Sequence, residues 1–322
     1  MDPSSEHGVS VVIPCYNGMP FLPAALDSVI TQTYRPAEII VVDDGSTDES
    51  GACVRDYAGR HPDLGIRLIE QANRGESASR NRGITAAGQE WIAQLDADDW
   101  WEPDKLASQV AILEADTVLA HTGQLTHRSD GGGADRVEPH DLEQGRRRVG
   151  RCTKRLVEPD SISHSSILVR RDALNRIGGY DADLQHAVDI DLYFRLSILG
   201  TFAFVPRHLV HYRIHDRQTS WNHRLDQVRG HVEVVQRFFA QHPDAAEEVG
   251  RDFIDDQLAR LLQTKLESFW WNRTLDAFRR LVAFADEHVS DPAMMRPWRR
   301  RARYPDWLVH LKDRVIDGRS GT

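Results

Sequence analysis

The sequence predicts an α/β fold, in which a Rossmann-like, mostly parallel sheet is flanked by helices and followed by a C-terminal helical appendage. Short β-branched runs alternate with helical stretches over the first 125 residues, and polar residues follow several of these runs. The periodicity after residue 223 is helical only. A chain of 322 residues is long enough for two domains, or for one large domain with an appendage.

The first third of the chain shows the alternation most clearly. Buried strands are predicted at 9–13, 38–42, 66–69 and 91–95, with a further strand at 117–125. Helices are predicted at 21–32, 48–59, 76–87 and 104–115, the second of them capped by Ser46 or Thr47. Parallel sheets bind ligands outside the carboxyl ends of their strands, so the polar residues that follow these strands are expected to form a site.

The pattern changes after residue 127. Residues 128–158 are rich in Gly, Arg and Asp and are predicted to form a loop or an excursion from the sheet. Alternation returns at 163–169, followed by helices from 171 and at 189–199, and by strand-like pieces at 201–205 and 208–213. We therefore predict one domain over residues 1–222 and a helical region over 223–322.

Composition excludes several classes of protein. The chain is 28% charged and 40% hydrophobic, which is typical of a globular protein, and no apolar run reaches the roughly 18–20 residues that span a bilayer. Residues 1–8 lack the basic start and apolar stretch of a signal peptide. Three scattered cysteines make neither a disulfide framework nor a cysteine zinc site. These observations predict a cytoplasmic protein.

Charge is distributed unevenly along the chain. Residues 1–125 carry 20 acidic and 8 basic residues, which argues against a nucleic-acid groove there, whereas residues 292–322 carry 3 acidic and 8 basic residues. Within the basic end, residues 296–314 combine arginines with aromatic residues. Such a segment suits peripheral contact with an anionic membrane or a solvated helix packed on the domain, and both are favoured over a nucleic-acid contact.

The strongest local signal for chemistry is Asp96-Ala97-Asp98-Asp99, at the end of a predicted buried strand. Three carboxylates within four residues repel one another unless a cation neutralises them. Mg²⁺ and Mn²⁺ prefer oxygen ligands and often share them with substrate phosphates. The sequence therefore favours a divalent metal site here, and a solvated turn with a capping aspartate is the alternative.

Three further segments carry candidate ligand-binding residues. Asp43 or Asp44 can accept hydrogen bonds from a nucleobase or a ribose, although a helix cap and a tight turn explain the same segment. Tyr16 can stack on a base or simply pack at a strand end. Arg74 and Arg80 are rare basic residues in an acidic region, where they either contact a phosphate or base or are solvated.

Together these segments resemble the family 2 glycosyltransferases of the GT-A fold. The matching strings, in the family's order, are VSVVIPCYNG (9–18), IIVVDDGSTDES (39–50), NRGESASRNRG (73–83) and LDADDWWEPDKL (95–106). Further likeness lies in HSSILVRRDALNRIGGYD (164–181), DIDLYFRL (189–196) and YRIHDRQTS (212–220). The resemblance covers roughly residues 9–220, and the motifs are specific only when taken jointly.

The resemblance implies a bacterial enzyme that transfers a sugar from a nucleotide-sugar, with Mg²⁺ or Mn²⁺ and with inversion at the anomeric carbon. It implies a donor-binding half at 1–125 and an acceptor-binding half at 126–222. Tyr16 and Asp44 would hold the base, Asp96 the ribose side of the donor, and Asp98 the metal. The remaining residues expected at the donor are Pro14, Asn17, Asp43, Arg74, Arg80 and Ala97.

The resemblance also implies a catalytic base and an acceptor side. Asp189 matches the position of the family's base, although many members have Glu-Asp where this chain has Val188-Asp189. Asp191 is the rival, and because successive helical residues are about 100° apart, the two carboxylates cannot share the role. His215 matches a position near the metal or diphosphate. Trp100 and Trp101 flank the site, where each either stacks on a sugar or is buried.

Donor and acceptor identity are predicted only by class. A UDP-sugar is the expected donor because tyrosine and aspartate suit uracil, while guanine and thymine stay open. The expected acceptor is a glycan or a lipid-linked molecule, as in the synthesis of cell-surface polysaccharides, which would place the protein at the inner face of the membrane. A nucleotidyltransferase-like enzyme and a non-catalytic nucleotide-sugar-binding module are the alternatives. The sequence does not predict an oligomeric state.

Overall fold

The computed structural model of the chain describes residues 7–129, 135–158, 162–215, 224–289, 291–306 and 309. These residues fall into two compact units. The described residues up to 156, together with 162–215, form an α/β unit, and residues 157–158 and those from 224 onward form a helical unit. The domain boundary predicted after residue 222 lies outside the described residues.

The α/β unit is built on one sheet of nine strands, in the order β3-β2-β1-β4-β8-β6-β9-β5 with β7 paired to β6. Its strands are β1 Val9–Cys15, β2 Glu38–Asp43, β3 Ile66–Glu70, β4 Trp91–Gln94, β5 Trp100–Trp101, β6 Thr117–Ser129, β7 Asp135–Pro139, β8 Leu168–Arg170 and β9 Thr201–Ile214. Its helices are α1 Leu22–Ile30, α2 Ser50–Arg60, α3 Glu76–Ala86, α4 Lys105–Val110, α5 Leu142–Arg146, α6 Thr153–Leu156, α7 Arg171–Ile177 and α8 Val188–Ser197.

The first four strands form the predicted parallel half of the sheet. β1 pairs in parallel with β2 and with β4, and β2 pairs in parallel with β3. Their apolar residues are buried, and α1 packs Leu22 and Leu26 into the same core as Val11 and Ile13. On α3, a Cβ added at Gly83 would lie 2.3 Å from a methyl carbon of Val12, so glycine is what allows this helix to approach β1.

The second half of the sheet is mixed, with β4–β8, β8–β6 and β9–β5 antiparallel and β6–β9 parallel. This confirms the α/β architecture but adds antiparallel pairs to it. The strand pieces predicted at 201–205 and 208–213 form one strand, β9. Its register with β6 shifts between Thr122 and Gly123, opposite Pro206 and Arg207, because proline has no N–H to donate to the ladder.

The segment predicted as a loop at 128–158 contains more structure than expected. β6 extends to Ser129 and pairs antiparallel with β7, and α5 and α6 follow. β6 therefore crosses residue 125/126, where the donor and acceptor halves were predicted to meet. The helix predicted over 104–115 is shorter than expected, since α4 ends at Val110.

The helical unit contains α9 Arg224–Gln241, α10 Pro243–Val249, α11 Arg251–Trp271, α12 Leu275–His288 and α13 Pro292–Ala302. Its core is formed by residues at helical spacing, among them Val232, Leu262, Phe278 and Trp298. Over the described residues, no helix combines the length and the apolar character that crossing a bilayer requires.

Candidate functional site

The acidic loop after β4 brings three carboxylates together. Asp96, Asp98 and Asp99 each offer an oxygen, and these oxygens lie within 4.8 Å of one another. The loop turns tightly, because the N–H of Asp99 donates to the carbonyl of Asp96 at 3.1 Å. Such a group of oxygens suits a hard divalent cation, as the sequence predicted.

The three carboxylates differ in their surroundings. Asp99 is buried and accepts hydrogen bonds from the Ser165 hydroxyl at 2.6 Å and from the Arg213 N–H at 3.0 Å. Burial, together with the neighbouring carboxylates of Asp98 and Asp96, raises the pKa of Asp99 well above its usual value. Asp99 therefore supports the loop from inside, while Asp96 and Asp98 are partly exposed.

Asp96 is paired with a buried arginine. The Arg80 guanidinium, on α3, donates to Asp96 at 2.7 Å and to Glu76 at 2.6 Å. Burial opposes the charge of the Asp96 carboxylate, but Arg80 outweighs it and lowers the pKa of Asp96. Arg80 was expected at the donor. In the structure it lies beneath the acidic loop with 2% of its side chain exposed, so it holds Asp96 in place.

Asp98 and His215, the two residues expected at the metal, are neighbours. Nε2 of His215 lies 2.9 Å from Asp98 Oδ2, although the two residues are 117 positions apart. Their side chains are partly exposed, and the imidazole packs at 4.6 Å against the ring of Phe21. Carboxylate oxygens and an imidazole nitrogen on one edge of the sheet are a donor set that fits Mn²⁺ or Mg²⁺.

Arg213 belongs to the same cluster and was not singled out from the sequence. Its Nε donates to the Asp98 carbonyl at 3.1 Å, in addition to its N–H bond with Asp99. Its guanidinium lies 4.7 Å from the Phe21 ring and 4.6 Å from the Trp100 ring. Arg213 lies near the end of β9, two residues before His215, which directly follows the strand, and this spacing is the signal that could have identified it.

The loops that follow β1 and β2 are joined to each other. The Asn17 N–H donates to the Ser46 hydroxyl at 2.9 Å, and the Thr47 N–H donates to the Asn17 side chain at 2.8 Å. The predicted cap by Ser46 or Thr47 is therefore wrong, since both residues bind the neighbouring loop and α2 begins only at Ser50. Asp48 instead accepts the Ser50 N–H at 3.0 Å.

The two aspartates at the end of β2 are buried and hydrogen bonded. Asp44 accepts from the N–H groups of Arg74 and Gly75 at 2.9 and 2.8 Å, and from Gln71. Asp43 accepts the N–H of Ser46 at 2.8 Å. Through these bonds, the two carboxylates hold the neighbouring loops in shape.

The other residues expected at the donor surround the same edge. Tyr16 has 55% of its surface exposed, which leaves its ring accessible for stacking. Arg74 is exposed near the end of the loop that leads into α3, while Pro14 and Ala97 are partly buried next to Cys15 and Asp98.

The two tryptophans after the acidic loop have different environments. Trp101 is 3% exposed, its Nε1 donates to the Ser165 carbonyl at 2.7 Å, and Lys105 lies 3.9 Å from its ring. Of the two roles expected for it, Trp101 therefore has the buried one. Trp100 is partly exposed and stacks on His211 at 4.8 Å, with interplanar angle 3°.

Asp189 and Asp191 lie in the first turn of α8 and differ in accessibility. Asp189 is partly exposed and accepts the N–H of Ile190 at 2.9 Å, and burial raises its pKa to about 6. Asp191 is buried and paired with Arg195, which donates to it at 2.7 Å and also to the carbonyls of Ile177 and Gly179. Asp191 therefore joins α8 to the end of α7.

Ser165 is a second residue that the sequence did not single out. Its hydroxyl accepts the Asp96 N–H at 3.1 Å and donates to Asp99. It lies in a short 3₁₀ turn, His164–Ser166, between the acidic loop and α8. The serine is visible in the sequence His164-Ser165-Ser166, but its hydrogen-bond partners lie about 70 residues away along the chain and could not be recognised from it.

Comparison with known proteins identifies the family. The model described as glycosyl transferase family 2 matches residues 10–178, more than half of the chain. An uncharacterized glycosyltransferase of Nostoc sp. is 31% identical over 212 residues, which are 64% of this chain and 65% of that protein. Chondroitin synthase of Escherichia coli is 28% identical over 227 residues, 70% of this chain and 32% of that protein. The match thus spans less than two thirds of each relative.

Solved structures show the same fold. Mannosyltransferase PcManGT from Pyrobaculum calidifontis, in complex with GDP-Man and Mn²⁺, aligns with a TM-score of 0.59 and 20% identity over 94% of this chain and 84% of that one. TarS 1-349 of S. aureus, in complex with UDP-GlcNAc, aligns with a TM-score of 0.61 and 16% identity over 92% of this chain and 88% of that one. The α/β unit has the GT-A fold.

Proposed function

The chain belongs to glycosyl transferase family 2, and from this premise we propose that it is an inverting, metal-dependent glycosyltransferase. The proposed reaction moves a sugar from a nucleotide-sugar, a UDP-sugar in the first instance, to a hydroxyl of a glycan or lipid-linked acceptor. One observation carries the proposal. The acidic loop, the joined loops after β1 and β2, His215 and the partly exposed Asp189 all belong to the same unit, and the first three lie at the carboxyl edge of its parallel strands.

The proposed base is Asp189. An acceptor hydroxyl is a poor nucleophile, so a carboxylate must take its proton as the oxygen attacks the anomeric carbon. The bond between that carbon and the diphosphate oxygen breaks, and its electron pair leaves with the diphosphate. Asp189 is partly exposed and accepts the backbone N–H of Ile190, whereas Asp191 is buried and engaged with Arg195, which supports assigning the base to Asp189.

The proposed metal ligands are Asp98 and His215. When bound, a divalent cation would stabilise the negative charge that develops on the leaving diphosphate. Arg80 holds Asp96 toward the donor, and Arg213 donates to the Asp98 carbonyl and to the Asp99 carboxylate. These contacts hold the acidic loop in shape.

The proposed donor contacts are distributed around this cluster. Tyr16 stacks on the base, and Asp43 and Asp44 lie where the base and ribose would be held. Asn17 and Pro14 shape the base pocket, Arg74 approaches the phosphates, and Ala97 gives the donor close access to the acidic loop. Two similar structures hold GDP-Man and UDP-GlcNAc, which supports a nucleotide-sugar but leaves the base to experiment.

The proposed acceptor side includes Trp100 and α8. Trp100 is partly exposed, with His211 stacked on its ring and Arg213 over it, so a sugar would contact the part of the indole that these two residues leave open. The E. coli relative is named for the synthesis of a polysaccharide, which supports a glycan acceptor in the synthesis of cell-surface polysaccharides.

The decisive experiment is a panel of UDP-, GDP- and dTDP-sugars incubated with the protein and Mn²⁺ or Mg²⁺. We expect metal-dependent hydrolysis or transfer with one nucleotide class, and inverted anomeric configuration in the product by NMR. Transfer of a nucleotidyl group would favour the nucleotidyltransferase alternative. Thermal stabilisation by a nucleotide-sugar without turnover of any acceptor or water would favour a binding module. No stabilisation by any nucleotide would contradict all three.

We also propose that the helical unit makes peripheral contact with the anionic inner face of the cell membrane. In α13, Met295 and Trp298 are packed in the helical unit, so its described part is a packed helix, and Arg296, Arg300 and Arg303 face solvent. Residues 307–308 and 310–314 of the predicted segment lie outside the described residues.

The helical unit also has an exposed tryptophan with an arginine beside it. Trp271 has 63% of its surface exposed, and the Arg273 guanidinium lies 5.6 Å from its ring. Arg273 and Arg301 both approach Trp270, at 5.9 and 5.6 Å, which brings the end of α11 next to α13. Arginine attracts anionic headgroups and tryptophan favours the membrane interface, so this surface fits a lipid-linked acceptor.

A further inference from the structure

A histidine joins two buried tyrosines between the acidic loop and the helix of Asp189. Nε2 of His164 lies 2.7 Å from the Tyr180 hydroxyl, and its Nδ1 lies 3.1 Å from the Tyr193 hydroxyl. Both tyrosines are almost fully buried. Burial, and then the nearby charge of Arg80, lower the pKa of His164 to about 3, so the ring is neutral at physiological pH.

The contacts assign a donor and an acceptor to each hydrogen bond that His164 and its two tyrosine partners make. A neutral imidazole has one donor and one acceptor. The Tyr193 hydroxyl lies 3.3 Å from the Ile162 carbonyl, to which only the tyrosine can donate. The Tyr193 oxygen therefore accepts from His164, which makes Nδ1 the protonated nitrogen. Nε2 is then the acceptor, and the Tyr180 hydroxyl donates to it.

The two tyrosines bonded to His164 reach the two sides of the candidate site. The Tyr180 ring lies 5.7 Å from the Arg80 guanidinium, which holds Asp96. Tyr193 lies on α8, four residues after Asp189 and therefore on the same face of the helix. The residue after His164 is Ser165, whose hydroxyl binds both Asp96 and Asp99. The turn His164–Ser166 thus contacts the acidic loop, Tyr180 and α8, the helix that carries Asp189.

We propose that His164 is a positioning residue of the transfer reaction, an inference that rests on the proposed function. As the neutral Nδ1–H tautomer, it holds α8 and the Arg80–Asp96 pair in a fixed arrangement, so that Asp189 and the acidic loop face the same anomeric carbon. It also engages the Tyr180 hydroxyl, which is thereby kept from donating to a nearby carboxylate.

The electrostatic surroundings of Asp189 explain why that second effect matters. Among the described residues, the charged and titratable groups that influence Asp189 include Glu76 and Arg80 on α3, Tyr180 on the α7–α8 connection and Tyr193 on α8 itself. A tyrosine hydroxyl that donates to a carboxylate stabilises its charged form and weakens it as a base. With both hydroxyls engaged by His164 and Ile162, Asp189 keeps its basicity.

The test compares His164→Phe, which loses both hydrogen bonds, with His164→Gln, whose amide oxygen can still accept from Tyr180. Misplacement of reacting groups by about 1 Å costs roughly 100-fold in rate, so we expect His164→Phe to lower kcat by about that factor. The KM and the Kd for the donor should change less than about threefold, because most proposed donor residues, such as Tyr16 and Asp44, lie on the loops after β1 and β2, and His164 bonds to none of them. His164→Gln should recover part of kcat.

His121→Phe is the matched control. His121, on β6, is another histidine that is neutral at physiological pH, with Nε2 at 3.2 Å from the Arg148 carbonyl and a pKa that burial lowers to about 4. We expect its substitution to lower stability and to leave kcat per folded molecule unchanged. The double variant His164→Phe with Tyr180→Phe should lose little more than His164→Phe alone, because the bond that Tyr180→Phe removes is already absent in that variant.

The outcomes separate this inference from the proposed function. If the wild-type protein transfers no sugar from any donor, the proposed function fails and the positioning role fails with it. An active wild type with a His164→Phe variant of near-normal kcat overturns the positioning role alone. The role is also overturned if kcat losses add fully in the double variant, or if imidazole ¹⁵N shifts of the wild type show the Nε2–H tautomer.

Discussion

The Arg80 guanidinium lies 2.7 Å from the Asp96 carboxylate, with 2% of the arginine side chain and 27% of the aspartate side chain exposed. This ion pair joins α3 to the acidic loop and lies within the hydrogen-bond reach of Glu76. The arginine expected to bind the donor is thus also the residue that keeps the acidic loop in place.

Replacing Arg80 with leucine should destabilise the fold. The substitution leaves Asp96 without its cationic partner, and breaking a buried pair in this way costs about 3 kcal/mol of unfolding free energy, the lower end of the range because Asp96 is partly exposed. Urea unfolding followed by circular dichroism measures the loss. Arg82→Leu is the control, since Arg82 is exposed on the same helix and its loss should change stability by less than about 0.5 kcal/mol. Equal losses in the two variants would refute the role assigned to Arg80.

Asp98→Asn should abolish stabilisation by Mn²⁺ while leaving the metal-free protein at least as stable as the wild type. The substitution removes a proposed ligand and also relieves repulsion among three carboxylates whose oxygens lie within 4.8 Å. Thermal unfolding with and without Mn²⁺ and UDP measures both effects.

Asp99→Asn is the comparison for Asp98. Asp99 accepts from Ser165 and Arg213 inside the protein, so its replacement should disturb the loop and lower the melting temperature without metal. A melting temperature of the metal-free protein that falls more for Asp98→Asn than for Asp99→Asn would contradict this division of roles.

Asp189→Asn should reduce kcat by about 100- to 10,000-fold, the range that general base catalysis contributes, without a large change in stability. Asp191→Asn should act differently, because it breaks the pair with Arg195 and thereby loosens the contact between α7 and α8. Turnover per folded molecule separates the two cases. A fully active Asp189→Asn protein would transfer the assignment of the base to another residue.

The pH dependence of the wild type should show the same base. Burial raises the pKa of Asp189 to about 6, and a general base works only when it is deprotonated. The rate constant kcat/KM should therefore rise tenfold per pH unit below about pH 6 and level off above it. A profile that stays flat from pH 5 to pH 8 would be inconsistent with Asp189 as the base.

Binding to anionic vesicles should depend on the exposed arginines of α13 and of the residues just after it. Near an anionic surface each arginine contributes about 1 kcal/mol, so reversing Arg296, Arg300 and Arg303 to glutamate should weaken binding to phosphatidylglycerol vesicles by more than about 100-fold. Trp271→Ala should weaken it further. Vesicle sedimentation at low salt measures the effect.

A control with the same charge change reverses Arg82, Arg176 and Arg251, which are exposed elsewhere on the chain. This variant should keep most of the binding, because the interaction depends on a local surface. Wild-type protein that stays unbound to anionic vesicles, or equal losses in the two triple variants, would end the membrane proposal.

The amino-acid sequence by itself determined the α/β class and the order of its elements. Each strand of the parallel half is a short β-branched run that has to be buried, and each helix carries apolar residues at its own period, so both can be read locally. The acidic loop was predictable for the same reason, because three carboxylates adjoin one another in the chain. The family followed from several motifs taken jointly.

Only the tertiary structure decided what each polar residue contacts. Asp44 holds the backbone of Arg74 and Gly75, Arg80 holds Asp96, and Arg213 reaches the acidic loop from 114 residues away. The same physical limit concealed the continuity of β9, which depends on its pairing with β6. A carboxylate or guanidinium carries the same charge in a ligand site, a cap or an ion pair, and its role is set by the group that folding brings within about 3 Å of it.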